Sequence, residues 1–431
     1  MLDIQRIKDN PEEVREKSDL KGYQVDVNQI LGFDDERRKL LKEVEELRQK
    51  RNQLAASNKN QAPSSEQITA GKEIKDQLIK LEHQLGSIEL ELNELLKAVP
   101  NMPLSDVPVG KSEAENVVIK TWGDKLVMDF EPKNHWQIGE KKGWIDKERA
   151  VKVAGSRFLY IKGDLALLEF ALWQYAISQL TDENVLKQII SDNNLEVSSK
   201  PFIFVLPPAV AKKSVFEATG RLNKEEQTYN IEGEDLWLNA SAEHTLAPMH
   251  LNEILEDKDL PLRYVGYTTA FRREAGTYGK DMEGMLRLHQ FNKLEMESFT
   301  NKDSSLNEHL FLVALQEHLM QQLGLPYQVL NKCTADIGFP NAKGVDIEVW
   351  LPGQNKYRET HTADYITDFQ TLSMKTRVRK EDGSIEYAHT NDATAFSERP
   401  LIGIIENFQT KEGNVVVPEV LRPYIFNKQE I

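Results

Sequence analysis

Two series of residues with the spacing of a coiled-coil seam lie in the first quarter of the chain and restrict its fold most strongly. The first series is Phe33, Arg37, Leu40, Val44, Leu47, Arg51 and Leu54, and the second is Ile74, Leu78, Leu81, Leu85, Ile88, Leu92 and Leu95. Steps of four and three residues keep such positions on one side of an α-helix. Between the two series, residues 58–67 have the sequence NKNQAPSSEQ, whose turn formers and proline end a helix. The sequence therefore predicts two helices that fold back on each other as a protruding antiparallel arm.

The first of these two helices is electropositive although the whole chain is acidic. The 431 residues have a formal net charge of −15, whereas positions 37–59 carry eight Lys or Arg and three Glu side chains. A strongly negative chain repels phosphate backbones at long range, so nucleic acid must be held by a local cationic surface. An exposed cationic rod suits RNA recognised by shape and phosphate position, and DNA is not an expected partner. A dimerisation coiled coil and a merely solvated face are the alternatives at this point.

Composition is that of an ordinary folded protein. Apolar residues make up 40% of the chain, enough for a full-sized core in two or three domains. The single cysteine, Cys333, excludes an internal disulfide and a cysteine-based zinc cluster, and the first residues, MLDIQRIKDN, lack the apolar segment of a signal peptide. No apolar run approaches the roughly 20 residues of a membrane helix. We therefore expect a cytoplasmic protein that has no membrane partner.

The remainder of the chain predicts a single catalytic domain. Residues 98–110, AVPNMPLSDVPVG, are rich in proline and mark a linker. Amphipathic helices are predicted from Asp164 to Leu180 and from Leu306 to Leu323, and strands within LPLRYVGYTTAF, LRLHQFNKLEMESF and VDIEVWLP. Neither of the usual glycine-rich nucleotide motifs is present in its required context. We predict an α+β fold in which a helical coiled-coil arm, residues 1–110, precedes an antiparallel-sheet catalytic domain, residues 111–431.

One predicted hairpin carries a pattern that favours a nucleotide ligand. Residues 271–291 have the sequence FRREAGTYGKDMEGMLRLHQF, in which the glycine-rich segment AGTYGKDMEG joins two strands. A guanidinium at Arg272 can hold two oxygens of an α-phosphate and stabilise developing charge. Glu274 can accept a hydrogen bond from an adenine amino group, and Phe291 offers a ring on which a base can stack. A surface hairpin with solvated charges is the alternative.

Several further segments match one known pattern, in the same order as the hairpin. They are LPPAVAKKSVFEATGRL, SAEHTL, DIGF with VDIEVWLP, YRETHTADYITDFQ and RPLIGIIEN. Together with the hairpin they resemble the three motifs and the serine-site loop of the seryl-tRNA synthetase family, which belongs to the class II aminoacyl-tRNA synthetases. The similarity covers nearly the whole chain and includes the arm. It implies an ATP-dependent ligase that joins L-serine to tRNA(Ser), and it leaves open whether tRNA(Sec) is also charged.

The resemblance also implies roles for individual residues. For ATP and Mg²⁺ it points to Arg272, Glu274, Phe291, Glu359, Thr362 and Arg399, with Arg272, Glu359 and Arg399 as the catalytic candidates and Glu359 as the Mg²⁺ ligand. For serine it points to Ser241, Glu243, Arg272, Glu295 and Thr394. For tRNA it points to the arm, where the cationic candidates are Arg37, Arg38, Arg48 and Arg51. It further implies a homodimer, with Pro207 and Pro208 at the interface and tRNA bound across the two subunits.

The sequence departs from the family pattern at two places. Leu372 and Ser373 replace two arginines that usually follow the DFQ segment, and the stretch between Thr394 and Arg399 is one residue shorter than usual and lacks a glycine. Two rival interpretations therefore stay open. One is a paralogue that charges a carrier protein or has lost catalysis, and the other is a coiled-coil scaffold whose second domain binds ATP.

Overall fold

The protein is described by a computed structural model that covers residues 1–57, 64–222, 228–274 and 284–431. The chain forms two compact units, Met1–Met102 and Pro103–Ile431. In the described parts of both units, every helix is too short or too polar to cross a lipid bilayer.

The first unit is helical. Its elements are α1 (Ile4–Asp9), α2 (Pro11–Leu20), α3 (Val27–Ser57) and α4 (Ser65–Lys97). A capping box starts α4, because the Ser64 hydroxyl accepts from the Gln67 amide N–H while the Gln67 side chain accepts from the Ser64 N–H. Such reciprocal bonds satisfy donors that a helix start leaves unpaired.

The predicted seam holds α3 and α4 together in antiparallel fashion. Val44, Leu78 and Leu85 are buried between the two helices, and four further members of the two series, Leu40, Leu47, Ile74 and Leu81, pack against them. Near the middle of the pair, the Arg48 guanidinium of α3 lies 2.9 Å from Glu82 of α4. The predicted antiparallel helical arm is thus confirmed; most of the predicted turn between the helices, residues 58–63, lies outside the described residues.

The second unit is a mixed α and β structure. Its helices are α5 (His135–Lys141), α6 (Lys147–Ala154), α7 (Asp164–Leu180), α8 (Glu183–Asp192), α9 (Lys213–Ala218), α10 (Glu243–Leu246), α11 (Ser305–Leu323), α12 (Phe369–Met374) and α13 (Arg399–Asn407). Its strands are β1 (Val117–Trp122), β2 (Ile145–Asp146), β3 (Tyr160–Ile161), β4 (Ile203–Val205), β5 (Val210–Ala211), β6 (Trp237–Leu238), β7 (Ile254–Glu256), β8 (Leu262–Phe271), β9 (Gln290–Thr300), β10 (Tyr327–Asn331), β11 (Lys343–Leu351), β12 (Lys356–Thr367), β13 (Arg377–Arg379), β14 (Ile385–Tyr387) and β15 (His389–Ser397).

Eight of these strands form one sheet in the order β1-β10-β11-β12-β15-β9-β8-β4. All neighbours are antiparallel except β4 and β8 at one edge, which are parallel. The predicted helices Asp164–Leu180 and Leu306–Leu323 agree with α7 and α11, and the three predicted strand segments overlap β8, β9 and β11. The predicted α+β class with an antiparallel sheet is therefore confirmed.

The two faces of the central sheet differ in chemistry. Val265, Met296, Ala393 and Ala363 stand in register on four adjacent strands, and all four belong to the main hydrophobic core with α7, α11 and α13. Side chains alternate between the faces of a strand. The residues on either side of this row therefore point to the opposite face. On β9, β15 and β12 all of them are polar or charged, namely Glu295, Glu297, Asp392, Thr394, Thr362 and Asp364.

Candidate active site

The hairpin of β8 and β9 brings Arg272 next to Phe291. Ala270 pairs with Phe291, and the Arg272 N–H continues the ladder by donating to the His289 carbonyl at 2.9 Å. The Arg272 guanidinium carbon lies 5.1 Å from the centroid of the Phe291 ring, a cation–π distance. A cation and an aromatic face are therefore held together at one end of the hairpin. Most of the predicted connecting loop, residues 275–283, lies outside the described residues.

Glu274 lies at the end of the same strand extension. Its backbone adopts a left-handed conformation with φ of 50°, and its side chain is 2.9 Å from the Arg287 guanidinium. Positive φ is uncommon for a residue with a side chain. The Glu274 carboxylate is therefore held beside Arg287, and both residues line the same cavity.

A second cationic position is provided by Arg399 at the start of α13. Its guanidinium lies 2.8 Å from a Glu359 carboxylate oxygen and donates to the Glu359 carbonyl at 3.0 Å. Burial alone raises the pKa of Glu359, but Arg399, Lys332, Arg272 and Lys293 outweigh it and lower the pKa to about 2. Glu359 is therefore an ionised carboxylate that remains half-exposed, surrounded by cations.

Two further ion pairs hold the predicted serine-site carboxylates. Arg221, which follows α9, pairs with Glu243 at the start of α10. Lys293 on β9 lies 2.5 Å from Glu295 and donates weakly to the Ser241 hydroxyl at 3.4 Å. Burial raises the pKa of Glu295 to about 7 although Lys293 opposes the shift. Both carboxylates are thus fixed in place by cations that the sequence interpretation did not single out.

These side chains surround two adjoining cavities. The first, of about 380 Å³, is lined by Arg272, Glu274, Phe291, Glu359, Thr362, Thr394 and Arg399 among others. The second, of about 340 Å³, is lined by Ser241, Glu243, Arg272, Glu274 and Thr362 among others. Glu295 is fully buried behind Lys293, which lines both cavities. All the predicted ATP and serine residues except Glu295 therefore line one of the two cavities. Glu295 contacts Lys293, which lines both.

The four cationic candidates of the arm lie on α3, in the first unit. Arg37 makes two hydrogen bonds to Asp34, at 3.1 and 2.8 Å, and Arg48 is the partner of Glu82. Arg38 and Arg51 are exposed. Arg38 and Arg51 therefore have side chains turned to solvent, whereas Arg37 and Arg48 already have carboxylate partners.

The sequence interpretation missed several polar groups that line or lie beneath the cavities. They are Arg221, Lys293, Glu297, Lys332, Asp364 and Asp392. Lys332 lies 3.6 Å from Asp346 and 4.0 Å from Asp336. The sequence contained a signal for Glu297. In the strand segment LEMESF, Glu295 and Glu297 are two residues apart, so they lie on the same face of the strand.

The donors present suit a polyanion next to a small polar molecule. Guanidinium groups stabilise phosphate oxygens, and the second cavity offers carboxylates and a hydroxyl. Within the described ranges, no three His, Cys, Asp or Glu side chains form a metal-binding group.

Fold and site together define a class II aminoacyl-tRNA synthetase core. Residues 224–408 match the model of the tRNA synthetase class II core domain (G, H, P, S and T), and residues 1–103 match the seryl-tRNA synthetase N-terminal domain. The serine–tRNA ligase of Thermodesulfovibrio yellowstonii is 41% identical over 99% of each chain. The chain belongs to the seryl-tRNA synthetase family, as predicted.

Solved structures agree with this assignment. The seryl-tRNA synthetase from Pyrococcus horikoshii complexed with ATP is similar with a TM-score of 0.86 and 35% identity, covering 100% of this chain and 99% of that one. The cytoplasmic serine–tRNA ligase from Naegleria fowleri in complex with AMP is similar with a TM-score of 0.82 and 27% identity, covering 100% and 98% of the two chains. Both relatives hold an adenine nucleotide.

Proposed function

We propose that this protein activates L-serine with ATP to form seryl-adenylate and transfers the seryl group to the 3′ end of tRNA(Ser). The observation that carries the proposal is the convergence of a cationic hairpin, an ionised Glu359 and the Ser241–Glu243 loop on two adjoining cavities. A family of serine–tRNA ligases, one of them bound to ATP, has the same fold.

ATP is placed in the first cavity. The adenine ring stacks on Phe291, its amino group donates to Glu274, and Arg272 holds the α-phosphate beside that ring. Arg399 leaves its pairing with Glu359 in part and binds the γ-phosphate. Both guanidinium groups line the same cavity, so one bent nucleotide can reach both.

Mg²⁺ fits the chemistry of Glu359. This side chain is an ionised, half-exposed oxygen ligand on the cavity wall, and Mg²⁺ commonly binds one or two carboxylates together with substrate phosphates. The Thr362 hydroxyl lies on the same wall. When bound there, the ion would neutralise phosphate charge. Glu359 would be its protein ligand, and Arg399 would retain the other side of the phosphate chain.

Serine is placed in the second cavity. Its ammonium group is held by Glu243 and the Ser241 hydroxyl, while Glu295 and Thr394 lie on the neighbouring strands β9 and β15, where they pair directly. A site that hydrogen-bonds the serine hydroxyl rejects alanine, because buried polar groups then lose their partner. Arg272 lines both cavities and is therefore placed where the two substrates meet.

The reaction needs positioning and charge stabilisation from the protein. The serine carboxylate oxygen attacks the α-phosphorus of ATP, the bond to the pyrophosphate oxygen breaks, and pyrophosphate leaves. Arg272 stabilises the negative charge that builds on the α-phosphate oxygens. Holding carboxylate and phosphorus in line makes the step effectively unimolecular. The ribose hydroxyl of tRNA then attacks the seryl carbonyl and AMP leaves.

Exchange of labelled pyrophosphate into ATP, dependent on serine, tests the adenylation step. We expect wild-type exchange, a loss of at least about 100-fold in Arg272→Ala, in the range found for removing an electrostatic stabiliser, and little change in Arg273→Ala. The adjacent Arg273 is exposed and does not line either cavity, so it is a matched control. A scaffold or an inactive paralogue gives no exchange. A carrier-protein ligase gives exchange but never charges tRNA.

The arm is proposed to hold tRNA through Arg38 and Arg51. These exposed cations lie in the part of α3 from residue 37 to residue 57, which carries seven Lys or Arg and three Glu side chains. Arg48 is left unchanged because reversing its charge would place two carboxylates together with its partner Glu82. The double variant Arg38→Glu with Arg51→Glu should raise the KM for tRNA about tenfold or more and leave pyrophosphate exchange unchanged. Lys80→Glu, a charge reversal on α4, is the control. Equal loss of charging and exchange would refute this role.

A homodimer is proposed from the edge of the central sheet. Ile203, Phe204 and Leu206, on and just after β4, are exposed large apolar side chains next to Pro207 and Pro208. Exposed apolar patches mark interaction surfaces, and most soluble homo-oligomers are symmetric dimers. We also propose that one tRNA is bound across both subunits. The proposed location of the protein is the cytoplasm. Sedimentation equilibrium that gives a monomer at micromolar concentration would contradict the dimer.

A further inference from the structure

Three carboxyl groups stand in one row on the cavity face of the central sheet, and the reaction as proposed does not use them. Asp364 of β12 pairs with Asp392 of β15, and Asp392 pairs with Glu297 of β9. Residues directly opposite in antiparallel strands point to the same side of the sheet. We call these three side chains the carboxyl row. It lies two residues along the strands from Thr394 and Glu295, on the same face.

The carboxyl row is buried, and four of its six oxygen atoms accept no hydrogen bond from the described residues. Glu297, Asp392 and Asp364 are 0%, 1% and 7% exposed. Both carboxylate oxygens of Glu297, and the Oδ1 atoms of Asp392 and Asp364, accept no hydrogen bond from any part of the chain that the structure describes. A buried carboxylate is stable when donors or cations compensate it. Oxygen atoms left in this state therefore favour either a retained proton or a ligand that brings donors.

The cations nearby are already committed to other carboxylates. Arg221 is ion-paired to Glu243, and Lys293 is ion-paired to Glu295. Burial, and then the negative charge of Glu243, raises the pKa of both Asp392 and Glu297 well above the ordinary carboxyl range, although Arg221 opposes the shift. The groups that face Asp392 from the packed elements are thus mostly acidic, and an anionic ligand is repelled from the row.

The row opens into the second cavity. Asp364 and Asp392 line its wall together with Ser241 and Glu243, whereas Glu297, the cross-strand partner of Asp392, does not line it. The phosphates of ATP are anions and belong to the cation-rich first cavity. The ligand that reaches the row must be small, because the cavity holds about 340 Å³, and it must carry a hydrogen-bond donor. The side chain of the amino-acid substrate meets both conditions.

We propose that Asp392 is a further specificity-determining residue, which accepts a hydrogen bond from the side-chain donor of the amino-acid substrate, and that Glu297, beside it on β9, is the positioning residue. This inference rests on the proposed function. Burial and then the negative charge of Glu243 favour the protonated form of both Asp392 and Glu297. A protonated Asp392 keeps a carbonyl oxygen that can accept a hydrogen bond from the substrate. Glu295 and Thr394 contact the substrate from the adjacent row.

Discrimination between serine and alanine tests the role of Asp392. Alanine lacks the donor and leaves Asp392 unpaired, so Asp392 should contribute to the rejection of alanine. In pyrophosphate exchange, we expect Asp392→Ala to raise the KM for serine and to lower the serine-to-alanine ratio of kcat/KM about 10-fold or more, with the KM for ATP unchanged. Glu297→Gln should raise the KM for serine with a smaller effect on kcat. A merely structural role would reduce both substrates equally.

Two controls keep the test decisive. Glu317 is a buried carboxylate of α11, outside both cavities, and Glu317→Gln should lower the thermal midpoint without changing the serine-to-alanine ratio. Competition on the wild-type enzyme needs no variant: 2,3-diaminopropionate, which carries an amine in place of the hydroxyl, should inhibit serine-dependent exchange about 10-fold more strongly than alanine.

The possible outcomes separate this inference from the proposed function. Serine-dependent exchange by the wild type supports the proposed function independently of any variant. If a folded Asp392→Ala retains the wild-type serine-to-alanine ratio, or if diaminopropionate inhibits no better than alanine, the role of Asp392 is wrong while serine activation stands.

Discussion

Glu398, which immediately precedes Arg399, predicts a pH dependence of stability that can be worked out from its surroundings. The side chain is 5% exposed, and one carboxylate oxygen accepts from the Asn292 N–H at 2.9 Å. The other oxygen accepts no hydrogen bond from the described residues. Burial, and then the nearby Glu169, raises the pKa of Glu398 from 4.5 to about 8. Replacing Glu398 with Gln keeps the shape of the side chain and removes the titration.

The sign follows from which state keeps the proton. The unfolded chain loses this proton near pH 4.5, whereas the folded protein keeps it to about pH 8. Between these values the folded state binds more protons, so the free energy of unfolding falls as pH rises, by at most about 1.4 kcal/mol per pH unit. The pKa difference of about 3.5 units corresponds to a full effect on the order of 5 kcal/mol above pH 8.

Urea unfolding of the wild type and of Glu398→Gln at half-unit steps from pH 5 to pH 9 measures this effect. We expect the variant to gain stability relative to the wild type as pH rises, and the difference to level off above about pH 8. Glu234→Gln, at an exposed position, should show no such trend. A wild-type-to-variant difference that stays constant with pH, or that changes in the opposite direction, would refute the assignment.

Three further predictions test packing and the phosphate site. The fully buried Arg263 donates two hydrogen bonds to Glu308, at 2.6 and 2.7 Å. Glu308→Gln should therefore lower the free energy of unfolding, measured in urea titrations, by about 3–5 kcal/mol. A loss below about 1 kcal/mol would contradict this prediction. Leu85→Ala in the arm seam should lower the free energy of unfolding by about 2–3 kcal/mol. Leu90→Ala, at a 70% exposed position, should change it by less than about 0.5 kcal/mol. Similar losses in the two variants would show that the seam is not the stabilising contact. Glu359→Gln should raise the KM for ATP about tenfold or more in pyrophosphate exchange at fixed Mg²⁺, and an unchanged KM would remove Glu359 from the phosphate site.

The parts of the fold that depend on local patterns could be predicted from the sequence. The seam of α3 and α4 follows from a regular spacing of apolar residues, and α7 follows from an amphipathic pattern between Asp164 and Leu180. The β8–β9 hairpin joins segments that are close in sequence, so Arg272 and Phe291 could be placed side by side. In each case the prediction rests on a pattern within one continuous segment or on two segments joined by a single turn.

The polar groups that were missed depend on long-range strand pairing. Asp364, Asp392 and Glu297 come together because β12, β15 and β9 are neighbours in the sheet, although they are far apart in the chain. Arg221, which follows α9, meets Glu243 at the start of α10, and no periodic pattern in the sequence predicts this contact. The register of the strands is set by the complete sheet, and it decides which acids face the cavities. The same pairing decides which of these acids lack hydrogen-bond partners among the described residues.

The central claim is that serine and ATP meet at Arg272, with adenine on Phe291 and the serine ammonium group at Glu243. A crystal structure with a non-hydrolysable seryl-adenylate analogue tests it most directly. We expect the adenine ring against Phe291, the phosphate mimic within hydrogen-bond distance of Arg272, and the seryl group in the second cavity. Binding of the analogue at another surface, or with its seryl group directed away from Glu243, would contradict the account.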